Sequence, residues 1–360
     1  MRQTLNSWIT RYLGDEEAVL LSVFILASLL VIWFLGSVLA PFLVSLVIAY
    51  ILQGPMHWMV ERGIPRLWAL AMTYLFFIGL NIALIFILVP LILGEVSSVI
   101  TELPAIANRG EQAIRNLLES SSGYFSDELL SATFSQMNQL AITNGEKLLA
   151  YSFGRIPGLM TLTVYSALVL ILVFFLLKDW YSLGLGIKSF LPTRRGAMRV
   201  IWAEMDMQLA NYLRGKALEI VIVGVVSYVV FALFGLRYSL LLAVIVGFSV
   251  MIPFVGAFAV TVPVALVALF QWGVSATTLY LIVAYIFLQI LDGNVLVPML
   301  FSEVVNLHPV FIILAILVFG GIWGVWGIFF AIPLATLIKA LITAWPVHHP
   351  EQMELGETDK

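Results

Sequence analysis

The stretch Met251-Ile252-Pro253-Phe254-Val255-Gly256 lies at the centre of an uncharged run from residue 239 to residue 270. As one α-helix that run would extend about 48 Å at ~1.5 Å per residue, whereas a bilayer core is about 30 Å thick. It must therefore tilt steeply, kink, or fold into a hairpin of half-helices, and the Pro253 and Gly256 breakers favour a break. Residues 309–344 repeat the situation, with Gly320, Gly321, Gly324, Gly327 and Pro333 as the breakers. A broken helix frees backbone N–H and C=O groups at membrane depth. Such groups are tolerated where they are buried in protein or line a cavity, as in transporters. The alternative is glycine for close helix packing and proline for kinks.

Composition sets the class. The chain is 62% hydrophobic and 11% charged, with a mean hydropathy of +1.05; soluble domains carry about 25% charged residues. This predicts an all-α polytopic membrane protein with the lipid bilayer as its partner. There are no cysteines, so disulfides and thiol chemistry are excluded. Nothing near the N-terminus reads as a cleavable signal peptide, because the first apolar run is too long for one.

Eight hydrophobic units are expected: 18–35, 37–53, 66–94, 157–177, 215–234, 239–270, 275–297 and 307–344. The first two are joined by a charge-free bend at Gly36. The resulting organisation is transmembrane helices one to three in 1–94, a small helical extramembrane domain in 95–155, and helices four to eight in 156–346. Within the last group the broken helices lie at 239–270 and 307–344. A polar tail occupies 347–360.

Orientation follows Lys/Arg placement. The 178–216 loop carries Lys178, Lys188, Arg194, Arg195, Arg199, Arg214 and Lys216 and reads as cytoplasmic. Arg62 and Arg66 place the 53–66 connection on the same side. Two crossings earlier, the N-terminus with Arg2 and Arg11 is cytoplasmic as well. Segment 95–155 then falls outside. Lys339 suggests a cytoplasmic C-terminus, provided that each broken unit makes one net crossing.

In 95–155, Val96, Val99, Ile100, Leu103 and Ile106 follow helical spacing, as do Leu129, Leu130, Phe134, Met137 and Leu140. Pro104 should break the first stripe, and Ser126 is placed to cap the second helix. About 60 residues bury little core alone, so these stripes should pack on each other and on neighbouring subunits.

No enzyme signature is present, so no catalytic residue, metal site or cofactor is assigned. His57, His308, His348 and His349 form no zinc-binding pattern. Arg214-Gly215-Lys216 lacks the upstream glycine and the Ser/Thr of a phosphate loop. No nucleic-acid partner is suggested.

Three polar features remain. The first is Asn211-Tyr212-Leu213-Arg214-Gly215-Lys216-Ala217-Leu218-Glu219, where Glu219 can pair with Lys216 on one helix face. Placed near the end of a span, Glu219 could snorkel to the interface. The second is Gln289-Ile290-Leu291-Asp292-Gly293-Asn294, whose oxygen ligands suit a proton, a small cation or a hydroxylated solute. Alternatively, Asp292 caps a short turn. The third is Ser302-Glu303-Val304-Val305-Asn306-Leu307-His308-Pro309. His308 there could sense pH or cap the following helix.

These features carry a family likeness. The chain resembles the PerM-like permeases of the autoinducer-2 exporter (AI-2E) family through roughly residues 8–346. The match is densest at Phe174-Phe175-Leu176-Leu177-Lys178-Asp179 and at Asn211-Tyr212-x-Arg214-Gly215-Lys216-x-x-Glu219. It continues through Gly247-Phe248-Ser249-Val250-x-Ile252-Pro253-x-x-Gly256-Ala257-Phe258, Leu291-Asp292-Gly293-Asn294-x-x-Val297-Pro298 and Asn306-Leu307-His308-Pro309. The stretch from Gly320-Gly321-x-Trp323-Gly324 to Ala331-Ile332-Pro333-Leu334-Ala335 completes it. The resemblance implies a bacterial inner-membrane permease with eight spans. It also implies export of autoinducer-2 by some members, sodium/proton antiport by others, and homo-oligomers, with the pentamer as one state.

The expected function is export or other secondary transport of a small polar solute. Gln289, Asp292, Asn294, Glu219, Asn211, Arg214 and Lys216 would line the pathway, placed between the two broken units. Pro253, Gly256, Gly320, Gly321, Gly324 and Pro333 would shape the broken backbone. The alternatives are a cation/proton antiporter and a non-transporting membrane scaffold acting through 95–155.

Overall fold

A computed structural model of the chain describes residues 16–102, 105, 156–189, 196–253, 255–301 and 308–344. Every element among them is helical. The order is α1 (Glu16–Glu61), α2 (Arg66–Glu102), α3 (Ile156–Ser189), α4 (Gly196–Phe234), α5 (Ser239–Ser249), α6 (Val255–Trp272) and α7 (Ala276–Phe301). They are followed by α8 (Pro309–Trp323), α9 (Val325–Phe329) and α10 (Ala331–Ala344). Six helices among the described residues are long and apolar enough to cross a membrane, and three shorter apolar ones accompany them. The expected all-α polytopic class is observed.

The bend expected at Gly36 is not there. α1 runs unbroken for 46 residues through Gly36, Pro41 and Pro55, about 69 Å at ~1.5 Å per residue. One glycine costs a helix only about 1 kcal/mol, and Gly36-Ser37 alone does not end it in so apolar a run. The separate units 18–35 and 37–53 are therefore one helix, which removes the reversal used to place the N-terminus.

α2 spans 37 residues, so it is longer than the expected 66–94 unit and outreaches a bilayer core. It contains one π-helical turn, Leu84–Leu88. Its apolar side chains, among them Leu75, Phe76 and Phe86, are largely exposed, as suits a helix facing lipid or another chain. The expected amphipathic stripes beyond Glu102, the Pro104 break and the Ser126 cap lie outside the described residues, as does the 347–360 tail.

The 178–216 segment is mostly helix rather than loop. α3 continues to Ser189 and α4 starts at Gly196. In the second part Ala, Met, Leu, Gln and Glu, all good helix formers, recur from Ala197 to Leu213.

The chain divides into two compact units. The first contains Met1–Ala71, Leu168–Gly215 and Phe301–Lys360; the second contains Met72–Ala167 and Lys216–Leu300. In the first unit Tyr50 joins three helices. Its hydroxyl donates to Asp206 Oδ1 at 2.7 Å, its ring meets Trp180 edge-on at 4.8 Å, and its carbonyl accepts from Arg214 Nε at 3.3 Å. Arg66 donates to the Lys178 carbonyl at 3.2 Å, which brings the two basic connections to the same end.

Both broken units are helical hairpins. In the second unit, α5 ends at Ser249 and α6 begins at Val255. Gln271, at the far end of α6, donates to the Gly235 carbonyl at 2.8 Å and accepts from Arg237 N–H at 2.7 Å. The chain thus returns to the end where α5 starts. At the tip, Gly256 packs so close to the Ser249 carbonyl that a Cβ has no room. In the first unit the reversal comes at Gly324 (φ +60°) and Phe330. Gly327 is pressed on the Phe319 carbonyl, and α8 packs on α10. Gly320 and Gly321, expected as breakers, lie inside α8, and Pro333 lies in the first turn of α10, where a proline is tolerated. The hairpin geometry therefore gives no support to one net crossing per broken unit, the condition on which a cytoplasmic C-terminus at Lys339 depends.

The core of the second unit packs α4, α5, α6 and α7 around Val223, Phe231, Leu242, Val246, Val264, Leu281 and Tyr285. In lipid, burial of apolar surface drives little, and close packing of small residues matters more. α4 and α5 meet through Gly224 and Gly247; a Cβ on Gly247 would lie 2.9 Å from the Ile220 carbonyl oxygen.

Candidate functional site

Helix lengths bring three polar features of the second unit to one depth. Glu219 lies about 22 Å along α4 from its end at Phe234, at ~1.5 Å per residue. Asp292 lies about 24 Å into α7 from Ala276, and Gly256 about 24 Å back along α6 from Trp272. These helix ends meet at the hairpin base. Asp292 and Glu219 accordingly stand at one depth of the unit, with Lys216 one turn from Glu219 on α4. Two sequence features some 70 residues apart thus form one cluster.

Lys216 donates to Glu219 Oε2 at 2.8 Å, and both residues are almost fully buried, at 4% and 2% exposure. Glu219 does not snorkel. α4 begins well before the expected 215, so the helix continues on both sides of Glu219. That residue lies about 22 Å from Phe234 and thus toward one end of a bilayer core about 30 Å thick. A charge at the centre of a membrane helix costs about 2.5–3.5 kcal/mol on insertion scales, and one nearer its end costs less. Lys216 offsets that cost for one acid. With two acids and one base, the cluster keeps a net negative charge when all three are ionised.

Asp292 opens a π-helical turn, Asp292–Leu296, within α7. Such turns are common at functional sites because the extra residue displaces backbone from its regular partners. Asp292 Oδ1 is buried with no hydrogen-bond partner, and so is Gln289 Oε1, about one turn away on the same helix. Gln289 Nε2 donates to the Tyr285 hydroxyl at 2.6 Å, and that hydroxyl reaches the Ala257 carbonyl at the hairpin tip at 3.4 Å. A polar row therefore runs along α7 from Tyr285 to Asp292, with two acceptor oxygens unused. Buried acceptors of this kind cost about 1–3 kcal/mol each when unmatched. They suit a ligand that brings donors or positive charge.

The other expected residues separate from this cluster. Asn294 is exposed and donates to the Ile290 carbonyl at 2.9 Å within its own helix. Asn211 is half-buried in the first unit. Arg214, also in the first unit, lies so close to Gly54 that a Cβ added there would stand 3.0 Å from Arg214 Nε. In the same unit the Tyr212 hydroxyl donates to the Phe329 carbonyl at the tip of the second hairpin, at 2.8 Å. His308 is the N-cap of α8: its Nδ1 accepts from Val310 N–H at 3.3 Å, which is the capping alternative. Glu303 and Asn306 lie outside the described residues. Pro253 belongs to the turn between α5 and α6.

Sequence reasoning missed Tyr285, Tyr50 and Asp206. Tyr285 could have been found, since it precedes Gln289 by one helical turn. Tyr50 sits in a largely apolar run with no charged residue near it and gives no such signal.

Among the described residues no group of His, Asp or Glu could hold a metal ion. A family model described as AI-2E family transporter matches residues 22–347. The chain is 42% identical over 346 residues to the Escherichia coli K12 protein named "Putative permease PerM", covering 96% of this chain and 98% of that one. It is 29% identical over 342 residues to the Bacillus subtilis "Putative transport protein YrrI", covering 90% and 92%. A second Bacillus subtilis protein, "Putative transport protein YueF", is 26% identical over 314 residues, covering 85% and 84%. These names describe permeases and transport proteins, not enzymes. With the family model spanning nearly all of it, this membrane protein belongs to the AI-2E family of transporters.

Proposed function

We propose that the chain is a secondary transporter that exports a small polar solute, with Lys216, Glu219, Gln289 and Asp292 as the intramembrane contacts. The observation that carries the reading is the buried cluster itself. Lys216 and Glu219 form a buried ion pair on α4 and Asp292 lies at the same depth on α7, while Asp292 Oδ1 and Gln289 Oε1 await donors. A hydroxylated signalling molecule of the autoinducer-2 kind would supply such donors. The net negative charge favours a second reading, cation/proton antiport, in which a proton and a small cation such as sodium alternate at Asp292. A scaffold acting through 95–155 would need none of these buried charges, which are costly to keep in a membrane.

The accompanying topology would be that of a bacterial inner-membrane protein with 178–216 cytoplasmic and 95–155 outside. The cytoplasmic N-terminus expected from a reversal at Gly36 loses its basis, because α1 is unbroken. The exposed apolar length of α2 suits a homo-oligomer, for which a pentamer is one arrangement. The test is flux in proteoliposomes, using imposed sodium and pH gradients and a panel of small hydroxylated solutes. Transport by the wild-type chain that is lost in Asp292→Ala supports the site. Equal leak with wild-type, variant and empty liposomes for every probe would leave the scaffold as the better reading.

A further inference from the structure

The two ends of the α5–α6 hairpin are held by different kinds of contact. The base is held by directional polar bonds. Glu95 on α2 accepts from Leu241 N–H at 2.7 Å, in the first turn of α5 where backbone donors are otherwise unmatched. Glu102, also on α2, pairs with Arg237 at 3.0 Å. Gln271 ties α6 to Gly235 and Arg237. Thr278 on α7 donates to the Gly273 carbonyl at 2.8 Å, and Ser275 accepts from Thr278 N–H at 3.3 Å. Leu236 and Ala268 are buried beneath this layer.

The contact of the tip region with α4 is of another kind. Gly247 lies against Gly224 and the Ile220 carbonyl with no side chain between the helices. Around the turn, Ile252 N–H donates to the Ser249 carbonyl at 3.0 Å and Gly256 N–H to the Ile252 carbonyl at 2.9 Å, both local bonds. A glycine-to-glycine surface gives close packing but no directional bond, so sliding against α4 breaks no hydrogen bond. On the α7 side the tip is held by packing of Val246 and Val250 and by the long Tyr285 hydroxyl contact to the Ala257 carbonyl at 3.4 Å. Ile220 is the residue next to Glu219.

We infer that the α5–α6 hairpin is a gate whose base, clamped to α2 by Glu95 and Glu102, stays fixed while its glycine-faced tip moves against α4 beside Glu219. The clamp residues lie on the part of α2 that leads into 95–155. The extramembrane segment therefore sets the fixed end of the gate. A gate of this kind exposes the buried cluster without unfolding a membrane helix, because the chain is already broken at Met251–Pro253.

The absence of cysteine lets spin labels be placed without background. The tip pair is Val226→Cys with Val255→Cys, and the base pair is Leu233→Cys with Val274→Cys; all four positions are exposed. The labelled chain is diluted with unlabelled chain in lipid nanodiscs, with and without sodium. The base pair should give one narrow distance distribution, and the tip pair a distribution at least about twofold wider or with two peaks. Gly247→Ala, whose Cβ would crowd the Ile220 carbonyl, should lengthen the tip distance. Gly224→Ala, whose Cβ would meet only ordinary contacts near 3.7 Å, should not. A tip as narrow as the base in every condition overturns the gate, and so does a base as wide as the tip. The inference rests on the transport reading, but the labels report motion without flux. A moving tip in a protein that carries nothing counts against transport alone; flux through a rigid tip counts against the gate alone.

Discussion

Lys216 donates to Glu219 across one helical turn at 2.8 Å, and the two side chains retain only 6% and 3% of their exposure. That pair sits within an apolar helix long enough to cross a membrane, and both residues are buried. Removing one partner leaves the other as an uncompensated buried charge. Lys216→Met should therefore cost on the order of 3–5 kcal/mol, read as a lower unfolding temperature in mild detergent. Lys216→Met combined with Glu219→Leu should recover most of that loss, because well-packed apolar replacements of buried pairs are often neutral. Equal losses in the single and double variants would show that Lys216 stabilises by some route other than this pair.

The hairpins make a separate prediction about glycines. A Cβ on Gly256 would overlap the Ser249 carbonyl, and one on Gly327 would overlap the Phe319 carbonyl. Both obstacles are backbone, which cannot rotate away. Gly256→Ala and Gly327→Ala should lower the yield of monodisperse protein and its unfolding temperature. Gly293→Ala meets nothing within 4 Å and sits in a helical turn, so it should be neutral or stabilising by up to about 1 kcal/mol. Size-exclusion profiles and melting curves check all three, and a well-behaved Gly256→Ala protein would contradict the hairpin geometry.

The contrast among these glycines shows what the sequence could reveal. The break at Met251–Pro253 was legible because an uncharged run too long for the bilayer holds a proline and a glycine at its centre. The exact reversal in 309–344 was not, because five candidate breakers compete there and only contact with Phe319 and φ at Gly324 single out the turn. Gly36 misled for the opposite reason: an apolar segment offers the chain no better state than helix, so one glycine does not end it. The polar cluster was half legible. Glu219, Lys216, Gln289 and Asp292 stand out as charged or amide residues in apolar surroundings, but only the folded helix lengths bring Asp292 to the level of Glu219. Asn294, two residues on, falls on the exposed face of the π-helical turn.

Topology follows from the basic ends. Arg66 reaches the Lys178 carbonyl, so the 53–66 and 178–216 connections share one side, and their lysines and arginines should make it the cytoplasm. With no native cysteine, Arg195→Cys should resist a membrane-impermeant maleimide in intact cells. Ser122→Cys should react. Both positions lie outside the described residues, so the labels test orientation without disturbing any contact given above. The reverse labelling pattern would overturn the assignment of sides.

Asp292 gives the sharpest test of chemistry. Its Oδ1 and the nearby Gln289 Oε1 are buried acceptors without donors, and Lys216, at the same depth, is paired with Glu219. Asp292→Asn keeps the size of the side chain and one acceptor oxygen but removes the negative charge and the exchangeable proton. If the site takes a cation or couples flux to protons, the variant should lose at least about tenfold in transport, a change of ~1.4 kcal/mol in binding, with unaltered oligomer size and expression. Glu219→Gln works from the other side. It releases Lys216 to neutralise Asp292, so it too should weaken cation transport while leaving Asp292 in place. A hydroxylated solute held by hydrogen bonds alone would respond differently: Asp292→Asn should then be nearly silent and Gln289→Leu severe, because Leu offers no acceptor. Flux measured for the three variants between about pH 6 and pH 8, where an unperturbed carboxylate is ionised, separates these cases. Full transport by Asp292→Asn across that range removes Asp292 as a coupling group and leaves amide and backbone oxygens to recognise the solute.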